Sequence, residues 1–373
     1  MLSQPPLWLI VVAFVCMIGP LVFFHELGHY LVGRLFGVGA ETFSIGFGRE
    51  VAGWTDRSGT RWKIGWLPLG GYVRFVGDEN VASTPSREIP PELKARSFHH
   101  KPVWQRFLIV LAGPMANFLL AIVIFSAFFL AFGAPRTNVV GEIQPNSAAS
   151  AAGLQPGDTI VAIGGRSTNS FMDIRNYVVL RPGQKVAVRF ERSGTVREVP
   201  VTLQSDVTTD EFGQKFERGL LGIYPASSAL QRVSIPGAVG LGAENTFQLT
   251  RLMVEGVGQI ITGRRSVKEI GGPLKIAQVA GQRAKLGALE FITLAALISI
   301  NLGFINLLPV PMLDGGHLFF YAVEAIRRRP VSVQAQEWAF RGGLALLFAL
   351  LLFTTVNDLG SFGVWERLGR LIG

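Results

Sequence analysis

Two histidines and a glutamate fall in the pattern His25-Glu26-Leu27-Gly28-His29. On a helix, positions i and i+4 lie one turn apart on one face, so both imidazoles can bind the same zinc ion. Glu26 projects about 100° away around the helix. That lets it reach a water at the metal rather than the metal itself, as a general base must. The bland alternative is a pair of core histidines with a surface glutamate. Location weighs against it. The motif lies inside an apolar run, where ionisable residues are costly and functional, and a divalent cation supplies the partner they need. Gly19 and Pro20 can loosen the helix just ahead of the motif. Arg34, five residues past His29, puts the motif near one end of the run.

A catalytic zinc wants three protein ligands and an open position. The next acidic residue after His29 is Glu41, at a loop start. A better third ligand is Asp314, in the string Asn306-Leu307-Leu308-Pro309-Val310-Pro311-Met312-Leu313-Asp314-Gly315-Gly316. Pro309 and Pro311 break a helix there, so Asp314 can sit on unwound backbone lining a cavity. An ordinary turn aspartate before glycine is the alternative. His317 follows on what reads as a new helix and could come close. His99 and His100 lie in a polar loop and read as solvated.

The elements that must carry these residues are membrane spans. Charged residues make up 16% of the 373, and there are 27 phenylalanines; a soluble protein carries about 25% charged residues. Four runs approach or exceed the ~20 apolar residues a crossing needs: about 7–32, 107–132, 287–309 and 338–356. The net charge of +9 is scattered and without an RNA- or DNA-binding motif, so no nucleic-acid partner is expected; anionic lipid explains it better. The single cysteine, Cys16, excludes an internal disulfide and a cysteine-ligated metal. The start, MLSQPPLWLI, lacks the basic region of a signal peptide, so the first run reads as a retained span.

Arg327, Arg328 and Arg329 place the loop after the third run in the cytoplasm. Counting crossings then puts 33–106 in the cytoplasm, and 133–286 and both termini outside. Residues 43–77 read as β-hairpins turning at Asp56-Arg57-Ser58-Gly59, and 78–103 as a polar linker. Residues 138–204 read as a compact unit: a strand at NVVGEIQ, a short helix at AASAAGL, a strand at DTIVAIGG, an amphipathic helix at FMDIRNYVVL. KVAVRFER and TVREVPVTL then form a hairpin through Ser193-Gly194. The string from Asn146 to Ile160 resembles a PDZ domain of the circularly permuted bacterial kind. Residues 244–262 read as an amphipathic helix on the outer membrane surface.

HELGH in a first span with NLLPVPMLDGG at a late one resembles the site-2 protease family, in its bacterial RseP-type branch. The similarity extends to Phe98, to Lys101-Pro102-Val103-Trp104-Gln105-Arg106, to Ala112-Gly113-Pro114-Met115-Ala116-Asn117-Phe118, to the PDZ unit and to Asn357-Asp358. It implies a polytopic α-helical membrane protein of about four transmembrane helices, with cytoplasmic-side membrane-associated β-hairpins and one extracytoplasmic PDZ domain of mixed α/β structure. It implies His25, His29 and Asp314 as ligands of one zinc ion, Glu26 as catalytic acid/base, Asn306 as a substrate-positioning residue and Asn117 near the site. In the family the hairpin region takes substrate by strand addition, which suits an unwound peptide. The family's tandem PDZ pair is reduced here to one, which is either a size filter or a binder of new C-termini through Leu220-Leu221-Gly222-Ile223.

The expected organisation is a first span with HExxH (1–34), the hairpin region and linker (35–103), a second span (104–132) and the PDZ domain (133–225). An extracytoplasmic amphipathic linker (226–286), a third span ending in the LDG motif (287–316), a cytoplasmic loop (317–337) and a fourth span with its tail (338–373) complete it. The expected activity is that of a zinc metalloendopeptidase of the bacterial inner membrane, with its site toward the cytoplasm. By family analogy its partners are the lipid bilayer and single-pass membrane substrates already trimmed outside: anti-sigma factors of stress responses and leftover signal peptides. A metal transporter would need further carboxylates or histidines along a path. An inactive scaffold would not need the intact HExxH and Asp314.

Overall fold

The computed structural model describes residues 5–78, 89–134, 137–209, 215–226, 232–264, 266–267 and 271–361. It divides into two units, the first built from 1–124 and 271–358 and the second from 125–270 and 359–373.

The chain opens with helix α1 (Leu7–Leu35), continuous through Pro20. Its buried face runs Ala13, Met17, Leu21, His25, His29, Gly33, an i, i+4 ridge. Leu7, Trp8, Val11, Leu31 and Leu35 lie on exposed surface of the same helix. The histidines therefore extend the helix's packing ridge. Strands β1 (Ala40–Thr55) and β2 (Arg61–Phe75) follow, paired antiparallel. Their register is double: Thr42–Ile45 align with Arg74–Gly71 and also with Arg61–Ile64, while Ala52–Thr55 return along Ile64–Arg61. The hairpin thus folds back upon itself, leaving residues 71–75 along one margin. Phe43, Val73 and Phe75 pack with Tyr30, Phe98 and Ile109 in one core cluster. The segment expected to be a plain linker contributes to this core. Pro91–Arg96 form a 3₁₀ turn, and Phe98, 2% exposed, stacks on Phe75. The part of that segment at 79–88 lies outside the described residues.

Helix α2 (Val103–Phe132) passes through Pro114 without breaking. Beyond it, β3 (Val140–Ile143), the short α3 (Ala148–Ala151), β4 (Thr159–Ile163), β5 (Arg166–Ser167), α4 (Phe171–Val179), β6 (Lys185–Arg192) and β7 (Thr195–Thr202) build the second unit, with β8 (Gln204–Thr209), β9 (Lys215–Leu220) and β10 (Ile223–Pro225). One sheet has the order β5-β4-β6-β7; β10 pairs with β3 and β8 with β9. Ser193 and Gly194 both take positive φ between β6 and β7, the backbone of a primed hairpin turn. Ser170 and Asp173 form a reciprocal capping box on α4. Ile160, Ile163, Ile174, Val188 and Phe190 fill the core.

Helix α5 (Ile235–Ile261) begins nine residues before the expected amphipathic segment and belongs to this unit. Its Glu255 accepts from Arg166 at 2.5 Å and Arg181 at 2.7 Å, and Gln259 donates to the Leu180 carbonyl. Burial opposes ionisation of Glu255, but those two guanidinium groups outweigh it and lower its pKa.

Back in the first unit, α6 (Pro273–Leu286) replaces the expected linker. Its Ala280 joins Ala13, Met17 and Leu21 of α1 in a core cluster, which draws a weakly apolar sequence into regular structure. Helix α7 (Ala288–Leu307) ends at the prolines, and α8 (Asp314–Arg327) starts at Asp314 itself. One expectation is corrected here: Asp314 opens a helix instead of lying on unwound backbone; the helix read at His317 therefore begins three residues earlier. Gly315 and Gly316 explain the early start. A side chain at either would strike the carbonyls of Leu308 or Val310, so the pair lets the turn fold tightly onto the new helix. Helix α9 (Val333–Ser361) closes the described chain. Helices α1, α2, α7 and α9 are long and apolar enough to cross a membrane.

In the second unit Asp158 is 1% exposed and bound by Arg192 at 2.6 Å. Burial opposes its ionisation, but the Arg192 hydrogen bonds and the Gln155 amide outweigh that and lower its pKa. Its contribution is complete above the ordinary carboxylate pKa of about 4 and is lost as pH falls through the lower folded value. Arg192→Leu strands the buried carboxylate and is expected to cost about 3 kcal/mol. Hydrogen exchange of the β4 and β6 amides checks both statements; lower protection relative to the intrinsic exchange rate is expected below about pH 4 and in the variant.

Candidate metal centre

His25 and His29 project from one face of α1 toward Asp314 at the start of α8. His25 Nε2 is 3.1 Å and His29 Nε2 3.4 Å from Asp314 Oδ2, and the two imidazole nitrogens are 3.3 Å apart. Among the described residues this is the one His/Cys/Asp/Glu group whose ligand atoms gather within 4.8 Å. His29 Nδ1 lies 2.9 Å from the Ile109 carbonyl, an acceptor, so Nδ1 carries the proton and Nε2 presents a lone pair.

His25 Nδ1 lies 2.9 Å from the Asn117 side-chain amide nitrogen, while Asn117 Oδ1 is buried without a hydrogen-bond partner. Exchanging the amide's O and N, a choice that the hydrogen-bond network decides, gives His25 Nδ1–H an acceptor. Its Nε2 is then also free as a donor atom. Asp314 Oδ2 is likewise buried without a hydrogen-bond partner. Three electron-rich atoms in mutual contact, with their outer sides fixed by hydrogen bonds, fit a divalent cation. The donor set of two imidazoles and one carboxylate is a zinc set. The carboxylate also gains from the N-terminal end of α8.

Small residues make the approach possible. A side chain on Gly28 would strike the Ala112 carbonyl of α2, and one on Gly113 would overlap His29 Nε2. Gly303 of α7 lies against Pro114 and Phe118, and Ser299 donates to the Asn117 carbonyl at 2.8 Å. The metal residues carried a motif visible in sequence. The glycines that seat them had only an apolar context, and spacing gave no signal of which helix each would face.

Glu26, 8% exposed, opens on the same cavity of about 610 Å³ as His25, His29, Tyr72, Asn306 and His317. Val73, from the margin of the folded hairpin, lines the same cavity. Gly71 sits so close that a side chain there would press on Val22 and Glu26. Asn306 therefore lines the cavity, and Asn117 touches His25. His317 lines the cavity wall, packed on Phe340 and Tyr321, outside the three-donor group. His99 is half-buried and bound to Asp78 at 2.9 Å, so it is not solvated as expected, whereas His100 is exposed, 3.1 Å from Ser97 Oγ. In the second unit Leu221 is buried, with its carbonyl bonded by the Ala149 amide; the Gly222 carbonyl accepts from Gln144. Leu220 and Ile223 are partly exposed beside them.

A family model described as Peptidase family M50 matches residues 13–350. A protein of Rhizobium meliloti (strain 1021) named "Putative zinc metalloprotease" is 46% identical over 93% of this chain and 95% of its own length. One of the same name from Agrobacterium fabrum is 44% identical over 94% and 96%. Metalloprotease MmpA of Caulobacter vibrioides is 36% identical over 97% and 98%. Among solved structures, the PDZ domain of an SdrC-like protein from Listeria monocytogenes aligns with 25% of this chain and 90% of that one, at 18% identity and a TM-score of 0.19.

Two substitutions test the seating of the ligands. Gly113→Ala places a methyl against His29 Nε2 and is expected to abolish stoichiometric metal in the purified protein while helicity by circular dichroism is retained. Asn117→Leu removes the acceptor for His25 and is expected to weaken zinc binding about 10- to 100-fold in chelator competition.

Proposed function

The chain belongs to peptidase family M50, and from that membership and the geometry of its buried donors we propose that it is a zinc metalloendopeptidase cutting single-pass membrane proteins within or beside the bilayer. The observation that carries the reading is the meeting of His25, His29 and Asp314 beside a buried Glu26 on a shared cavity. His25, His29 and Asp314 would hold the zinc. When bound, it supplies a Lewis acid for the scissile carbonyl and lowers the pKa of water. Glu26 takes the proton of the attacking water and delivers it to the leaving amine. Asn306, on the cavity wall, orients substrate.

A peptide bond within a helix is masked, so the substrate must unwind before attack. Gly70, Gly71, Tyr72, Val73 and Phe75 line the cavity beside Glu26. That free margin can pair with an extended segment. We read the second unit, with its order β3-α3-β4-β5-α4-β6-β7, as a permuted PDZ domain. We read it as extracytoplasmic, either filtering substrates by size or holding a new C-terminus at Leu220–Ile223. The basic end of α8, with Arg327, Arg328 and Arg329 exposed, supports a bacterial cytoplasmic-membrane location with the site toward the cytoplasm. Substrates already trimmed outside, such as anti-sigma factors and signal-peptide remnants, suit that placing. A transporter would need a series of donor groups across the membrane; the described residues provide one.

Glu26→Gln keeps the shape of the side chain and removes the base. It is expected to lower kcat on the order of 10²–10⁴-fold with zinc content unchanged. Undiminished cleavage would reject Glu26 as the base.

A further inference from the structure

Asp56, in the turn between β1 and β2, collects five hydrogen bonds. Its Oδ1 accepts from the Ser58 amide at 2.8 Å, the Ser58 hydroxyl at 2.7 Å and the Thr60 amide at 2.9 Å. Bonds of this kind belong to any aspartate-led turn. The other two do not. Oδ2 accepts from Trp62 Nε1 at 2.9 Å and from the Tyr30 hydroxyl at 3.3 Å. Tyr30 is on α1, next to His29.

Aromatic contacts reinforce the connection. The Trp62 ring is stacked on Phe43 at 4.2 Å and on Trp54 at 5.8 Å. Tyr30 meets both Phe43 and Trp62 edge to face. Thr60, fully buried, donates to the Ala40 carbonyl at the root of the hairpin. Burial opposes ionisation of Asp56, but hydrogen bonds from Trp62, Ser58 and Thr60 outweigh it and hold the carboxyl well below the usual range. It is therefore a charged acceptor at neutral pH, and its bonds are the stronger for it.

The tie bears on the site because Thr42–Ile45 of β1 run between residues 61–64 and 71–74. Fixing Trp62 to the helix of the metal histidines fixes the neighbouring β1 rung. That in turn sets the margin at 71–75, whose Gly71 lies against Glu26. We propose that Asp56 is a positioning residue for proteolysis: through Tyr30 and Trp62 it locks the folded hairpin to α1, so that a segment extended along residues 70–75 presents one peptide bond to Glu26. The proposal rests on reading that margin as the place where substrate pairs.

The test uses the full-length protein in detergent, a synthetic single-pass substrate, and mass spectrometry of the products. Asp56→Asn, Tyr30→Phe and Trp62→Phe are each expected to retain wild-type zinc content. Each should raise KM, by about tenfold for Asp56→Asn, and spread cleavage over adjacent bonds. Tyr30→Phe is expected to add little in an Asp56→Asn background, since the two share one interaction. A single unchanged scissile bond with unchanged KM in all three would overturn the proposal. So would loss of zinc in all three, which would make Asp56 a folding residue only. A substrate with N-methylated amides around the scissile bond separates the underlying reading. If the wild-type enzyme binds it as well as the unmethylated one, pairing along 70–75 fails and the proposal falls with it; Glu26→Gln independently tests the base.

Discussion

Two imidazole nitrogens and a carboxylate oxygen lie within 3.1–3.4 Å of one another in the interior of the first unit. Their outer faces are committed to the Ile109 carbonyl and to Asn117. Lone pairs that close, screened by little water, repel strongly, and a shared cation turns the repulsion into binding. The rest of the unit can be understood as what brings these atoms together. Asp314 is 285 residues from His29 in the chain, so nothing local can set the distance. Only the packing of α1, α2, α7 and α8 does.

That packing is built on absent side chains. Gly28 and Gly113 bring α1 and α2 together, Gly303 seats α7, and Gly315 and Gly316 fold the proline loop onto α8. In an apolar medium, helices gain little from hiding apolar surface and much from close contact. A Met312 with positive φ just before Asp314 shows the same constraint in the backbone. A non-glycine residue accepts an unfavourable conformation where the surrounding contacts dictate the chain path.

The folded hairpin serves the same centre from the other side. Its aromatic cluster ties it to α1, and its free margin meets Glu26. The second unit has a conventional core and a separate logic. Its long helix α5 is held by Glu255 between Arg166 and Arg181, so the sheet and that helix are parts of one body.

Much of this was legible in the residues alone. Four apolar runs could only be spans, because backbone polar groups in lipid must be satisfied within a helix. HExxH had to present two histidines together, because helical periodicity is local. The alternation at 185–202 and the Ser193-Gly194 turn specified a hairpin for the same reason. Asp314 could be named as a candidate but not placed. Residues 244–262 and the segment from His317 already read as helices, but 273–286 could not be told from linker, since its weak pattern becomes helical only against α1. The doubled register of the hairpin and the bond from Tyr30 to Asp56 had no sequence signal. Side-chain periodicity reports which face of an element is apolar. Which distant element meets that face, and at what distance, is decided when the whole chain packs.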